Sequence, residues 1–206
     1  MCPPPLFADI VRINHLRMRA TEQINEPAGA ETLSEEAYEL LGRIRRFSSN
    51  DWAQSKTSSK QEWILIGNVY QAAVALYCLS SLQSLSVLPA ITSLQSQYAV
   101  HGQFLRTLLA EGLTSPKIKR YMLWPLVVLG VVAVHDHEGG GGAMRAFVAE
   151  QLPALSRDGG TYVPFTAKGV LDAFWASGKT GWDACFDRPY AFTMQIAADT
   201  SRIYQS

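Results

Sequence analysis

Apolar residues recur at helical intervals along nearly the whole chain, and no segment sustains the apolar and polar alternation of a half-buried strand. This pattern predicts an all-α fold, a compact array of about seven to nine helices within a single domain covering residues 1–206. A first helix is expected from Leu6 to Asn25, closed by Glu26-Pro27-Ala28-Gly29 with Pro27 ending it. In the next, Leu33, Ala37, Leu40, Leu41, Ile44 and Phe47 keep helical spacing. Glu35, Glu36 and Glu39 come early and Arg43, Arg45 and Arg46 late, an order that complements the helix dipole. Helices are predicted from Trp63 to about Leu85 and, beyond Pro89, from Leu94 to Ala110. The stretch from Tyr121 to Val134 is apolar throughout and reads as a helix buried on all sides. His135-Asp136-His137-Glu138 and the glycines 139 to 142 read as a flexible, metal-free loop. After it come three shorter stripes: Met144, Phe147, Val148 and Leu152; Val170, Leu171, Phe174 and Trp175; and Phe192, Ile196 and Ile203. Asp158-Gly159-Gly160 and Ser177-Gly178-Lys179 supply turns between them.

The charge distribution sharpens this picture. Residues 63 to 105 contain no Asp, Glu, Lys or Arg at all. The first half is long enough to suggest a membrane span, but Asn68, Gln71, Ser80, Ser81 and Gln83 interrupt it and no basic cluster flanks it. Two helices facing the core or a cavity are therefore expected there, and no membrane. Overall, 18 basic residues balance 18 acidic ones, so the electrostatic attraction that dominates nucleic-acid affinity is missing and no nucleic-acid partner is expected. The three cysteines, Cys2, Cys78 and Cys185, are far apart and odd in number, which favours a reducing compartment. The first residues lack the charged and apolar regions of a secretory signal, so the expected location is intracellular, nucleus or cytoplasm.

Few residues suggest chemistry. Trp63, Tyr70 and Tyr77 recur every seven positions and share a helix face with Ile66 and Val74. That stripe reads first as core packing, and alternatively as the aromatic wall of a ligand pocket, because its surroundings hold few polar groups. His101 shares a face with Leu94, Tyr98, Leu105 and Leu108; it reads as a satisfied core histidine, with a ligand contact or general base as the alternative. Trp63, Tyr70, Tyr77, Tyr98 and His101 are thus the candidate ligand-binding residues, and His101 is the weak candidate for catalysis. Ser177-Gly178-Lys179-Thr180 has the tail of a phosphate loop, but Ala173 stands where its first glycine is required. Asp183, Asp187 and Arg188 read as a structural corner in which Asp187 caps and Pro189 pre-sets a final helix, and less as an acid/base group. Lys117, Lys119 and Arg120 form a local basic cluster, read as the solvated start of the Tyr121 helix. No metal and no cofactor is expected.

Several stretches carry a resemblance: WPLVVLG from Trp124, AMRAFVAEQLPALSRDGGTY from Ala143, VLDAFWASG from Val170, and GWDACFDRPYAFTMQIAADTSR from Gly181. Together they resemble the C-terminal end of the regulatory domain of fungal zinc binuclear cluster transcription factors, and CPPPLFADIVRINHLR from Cys2 looks like an internal helix of the same domain. The resemblance implies an all-α array that regulates transcription without touching DNA. The family's DNA-binding module needs six closely spaced cysteines, which these residues do not provide, and the histidine and glycine insert at 135 to 142 departs from the expected shorter turn. The expected function is that of a regulatory-type domain without DNA-binding capacity, acting through a small apolar molecule or a protein partner. A homo-oligomer is compatible with the sequence. The alternative is a small, cofactor-free enzyme of fungal secondary metabolism, a cyclase or isomerase, in which orientation in an apolar pocket does most of the work and His101 or an aspartate moves a proton. A fragment with no independent role is the third reading.

Overall fold

The computed structural model describes residues 1–22, 27–89, 92–135, 141–186 and 190–194. Among them every regular element is helical: α1 (Pro4–Glu22), α2 (Pro27–Arg46), α3 (Ser49–Gln54), α4 (Lys60–Ser84), α5 (Thr92–Thr114), α6 (Leu123–Val132), α7 (Gly141–Gly159), α8 (Val163–Ser177), α9 (Trp182–Cys185) and α10 (Ala191–Met194). Single 3-10 turns at Lys119–Tyr121 and Ala133–His135 bracket α6. Seven of the α-helices have ten residues or more, and the buried apolar side chains form one continuous cluster from Cys2 to Phe192.

Helix α4 is the axis of the fold, packed by α1, α2, α3, α5, α6 and α9. That arrangement accounts for the charge-free run. By length and composition α4 could cross a bilayer, yet 72% of its most apolar window is buried among the other helices. An ionised side chain there would lose its hydration without a partner. Close approach is secured by Gly67, where a Cβ would stand 2.7 Å from the Cβ of Ser49 on α3. Gln71, one of the few polar residues of α4, turns its amide toward the exposed end of α2 and donates to the carbonyls of Ile44 (2.9 Å), Arg45 (3.1 Å) and Phe47 (3.0 Å). It thereby satisfies carbonyls that a helix end leaves unpaired.

The second layer is built on α6, buried from Trp124 to Val132. Gly130 lets α8 lie directly on it: a Cβ there would meet Leu171 Cδ1 at 2.5 Å, and Trp175 Nε1 donates to the Gly130 carbonyl at 2.9 Å. Met144, Val148 and Leu152 of α7 and Leu171 and Phe174 of α8 point inward as their spacing predicts.

Several boundaries differ from expectation. Pro27 does not end the first helix, which stops at Glu22; it opens α2, where its missing N–H costs no hydrogen bond and its fixed φ suits the first turn. The helix expected from Tyr121 begins at Leu123, Lys119–Tyr121 being a 3-10 turn. There the basic cluster is engaged: Lys119 pairs with Asp158 at 2.7 Å, Lys117 approaches Glu62 at 3.8 Å, and Arg120 lies over the Tyr121 ring. Gly141 and Gly142 belong to the first turn of α7 and His135 to a 3-10 turn, so neither end of the expected glycine loop is loop. Asn25, Glu26, Asp136, His137, Glu138, Gly139, Gly140, Asp187, Arg188, Pro189, Ile196 and Ile203 lie outside the described residues, as does the side chain of Leu94. All three cysteines are free and buried.

Candidate functional site

The aromatic stripe of α4 becomes part of a longer aromatic chain. Trp63 is half-buried and meets Trp52 edge-on at 5.6 Å, with the Lys56 ammonium about 5 Å above both rings. Tyr70 stacks on Trp124 at 6.1 Å. Tyr77 meets Trp124 edge-on at 5.8 Å on one side and Trp182 at 4.6 Å on the other. Both tyrosine hydroxyls are spent within the fold, Tyr70 donating to the Tyr121 carbonyl at 2.9 Å and Tyr77 to Asn14 Oδ1. Burial pushes the Tyr77 hydroxyl up to about 12 and that of Tyr70 well above its usual value. These two side chains hold helices together. Tyr98, on α5, donates to Gln83 Oε1 at 2.6 Å and stacks on the His135 ring at 4.6 Å. The structure therefore places the five candidates at separate points along α4 and α5; Trp63 lines a depression with Glu62, Lys117 and Tyr121, which is about 380 Å³ in volume.

His101 is half-buried, and burial, seconded by the Arg45 guanidinium, lowers its pKa below the usual histidine value. The unfolded chain then takes up a proton at a higher pH than the folded one. Stability contributed by neutral His101 is present above about pH 6.5 and is lost as pH falls from there toward the lowered folded value. Replacing His101 with Gln is expected to reduce the loss of melting temperature between pH 7.5 and pH 5.5, measured against wild type by circular dichroism.

Among the described residues a larger groove lies elsewhere, between α8 on one side and α9 with Tyr190 on the other. It is a groove of about 600 Å³ walled on one side by Phe165, Val170 and Phe174 and on the other by Ala184, Cys185 and Tyr190. The first wall follows from helical spacing on α8. The second is fixed by the turn before α9. Gly178 ends α8 in the left-handed region at φ 67°, and Gly181 turns the chain again at φ 91°, where a Cβ would come within 2.6 Å of Ser84 Oγ. This close approach lets the Trp182 N–H donate to Ser84 Oγ at 3.0 Å and drops the Trp182 ring onto Tyr77. Asp183 pairs with Arg17, which also donates to the Ser81 carbonyl, so the segment is tied to α1 and α4 together. Asp183 is thus a structural anchor. Burial raises the Cys185 thiol to about 12, which makes it an inert wall rather than a nucleophile.

Sequence reasoning missed this groove because it read Val170 and Phe174 only as members of an apolar helical stripe. A usable signal was present: Phe165, Gly169 and Ala173 put an aromatic ring and two small residues at intervals of four on the same side of α8. A second depression, about 300 Å³ between α1 and α2, is lined by Arg12, Arg19, Arg43, Glu36 and Glu39 among others. Its arginines are engaged, Arg12 and Arg43 with the buried Asp9 and Arg19 with Glu36. Among the described residues no three His, Cys, Asp or Glu side chains gather as a metal site would require.

The fold is an all-α array on a central buried helix, with the hydroxyls of Tyr70, Tyr77 and Tyr98 paired inside it and a groove on its surface. Residues 2–187 match the family described as fungal specific transcription factor domain, and the chain belongs to that family. Over 203 residues, 98% of this chain, it is 53% identical to the phomenoic acid biosynthesis cluster-specific transcriptional regulator of Leptosphaeria maculans. The chain spans 38% of that relative's length. No solved structure matches it. Neither comparison supports the enzyme alternative.

Proposed function

We propose that these residues form the effector-responsive part of a transcriptional regulator of a secondary-metabolite gene cluster, working through the groove between α8 and the α9–α10 segment. The observation that carries this reading is the 53% identity, along 98% of the chain, to a protein named as a cluster-specific regulator. The groove supports the mode of action, since apolar walls with a few polar points are what small-molecule sites present. On this reading the working compartment is the nucleus, and DNA contact is made by other parts of the regulator, because these residues carry no net charge and three buried cysteines.

The purified chain is expected to give no sequence-dependent gel shift of duplex DNA at physiological salt. Tethered to an unrelated DNA-binding module in a fungal host, it is expected to change transcription from a reporter. Submicromolar, sequence-dependent DNA binding by the chain alone, or an inert tethered fusion, overturns the assignment.

A further inference from the structure

The groove has a composition that selects among ligands. We propose that it binds an amphiphilic monocarboxylate, a molecule with a single acidic head and an extended apolar chain, with the head on Lys179 and the chain along Phe165, Val170, Phe174 and Tyr190. This assignment rests on the reading of the groove as the effector site and names its ligand class.

The polar inventory of the groove is short. Thr166 Oγ1 donates to the Tyr162 carbonyl at 3.2 Å, so its proton is spent within α8. Ser177 Oγ donates to the Phe174 carbonyl at 2.7 Å and accepts from the Lys179 N–H at 3.2 Å. The second of these bonds fixes the backbone of Lys179 directly after the left-handed Gly178. Among the described residues Lys179 is the one charged residue in the lining, and no carboxylate stands within ion-pair distance of it. An anionic head can pair with this ammonium, whereas a cation would be repelled.

The rest of the lining fits a chain. Gly169 faces open space, with no atom within 4 Å of the position a Cβ would take, and Ala173 and Ala184 add only methyl groups to the lining. About 600 Å³ is several times the roughly 150 Å³ that accommodates a benzene ring, which leaves room for a chain rather than one ring. Because the groove is open along one side, the ammonium is solvated and its contribution is that of an exposed ion pair. Chain burial supplies most of the affinity, about three- to fourfold for each methylene taken out of water.

The test titrates the purified chain with sodium dodecanoate and, separately, with dodecanol below its solubility limit, by calorimetry or native mass spectrometry. Saturable one-to-one binding of dodecanoate is expected, weakening through decanoate to octanoate. Lys179→Met, which keeps the apolar stem and removes the charge, is expected to weaken dodecanoate about two- to fivefold, more at low ionic strength, and to leave dodecanol unchanged. Ala173→Trp, on the exposed side of α8, is expected to fill the groove and abolish binding of both at an unaltered melting temperature. Absence of saturable dodecanoate binding, or binding indifferent to Ala173→Trp, overturns the proposal. So does self-association of the chain that Ala173→Trp abolishes, which would assign the groove to a second copy. The tethered reporter separates the two levels of inference. If dodecanoate fails to bind but Ala173→Trp alters reporter output, the amphiphile assignment fails and the groove remains the effector site. If dodecanoate binds and output ignores Ala173→Trp, the binding site stands and its regulatory role falls.

Discussion

Replacing Tyr77 with Asp is expected to unfold the protein. The ring is 5% exposed and is held edge-on between Trp124 of α6 and Trp182 of α9, so its removal opens the contact among three helices at once. Truncating a buried aromatic costs about 3–5 kcal/mol through lost transfer energy and the cavity left behind. An aspartate in that cavity adds the desolvation of a carboxylate, several kcal/mol more unless it takes up a proton. Against a total stability of about 5–15 kcal/mol, the sum removes most or all of the folded population. Tyr77→Phe separates packing from polarity: it keeps the ring, loses the hydrogen bond to Asn14, and is expected to cost about 1 kcal/mol, a shift of about 2–4 °C in melting temperature. Thermal denaturation followed by circular dichroism reads both variants. A Tyr77→Asp protein that melts with wild type would show that the face carrying Tyr77 is not packed as described.

The same residue shows what a sequence can and cannot say. The seven-residue spacing of Trp63, Tyr70 and Tyr77 puts them on one face, because 3.6 residues per turn brings i and i+7 together, and the charge-free run implies burial because ions do not enter an apolar core unpaired. Both inferences need only local physics. What stands opposite that face is non-local: Trp124 and Trp182 arrive from α6 and α9, and nothing in the α4 segment specifies whether its partner is another ring or a ligand. The groove was hidden for the related reason that its second wall exists only once Gly181 and Trp182 have docked on Ser84. Helix ends were the other weak point. Pro27 and Gly141 are residues that stop one helix or open another with nearly equal ease, and the choice is made by the neighbours each helix finds. The resemblance succeeded where periodicity had no purchase, since the segments that carry it lie within the matched residues 2–187 except at their C-terminal end.

Gly130→Val is expected to destabilise the fold strongly, and it is the substitution that links core packing to the groove. Intrinsic preference alone favours it, since any β-branched residue is a somewhat better helix former than glycine, by a few tenths of a kcal/mol. Packing opposes it more strongly. A Cβ at position 130 would stand 2.5 Å from Leu171 Cδ1 and 3.0 Å from Cδ2, and Leu171 is fully buried. Either Leu171 leaves its rotamer or α8 lifts off α6, and lifting α8 stretches the Trp175 hydrogen bond to the Gly130 carbonyl. Overpacking of this kind costs about 1–3 kcal/mol, and the two further methyl groups of valine put it at the upper end. The expected result is a fall of about 5–10 °C in melting temperature. Because Phe165, Val170 and Phe174 ride on α8, the same displacement is expected to weaken dodecanoate binding without any change in the residues that line the groove. Leu171→Ala supplies the control. Alone it leaves a cavity and costs about 2–5 kcal/mol; combined with Gly130→Val it gives the valine methyl groups the space the leucine occupied. The double variant is therefore expected to be more stable than the sum of the two single losses predicts, a coupling that a double-mutant cycle measures directly. Strict additivity would place Gly130 and Leu171 out of contact and detach α8 from its seat on α6.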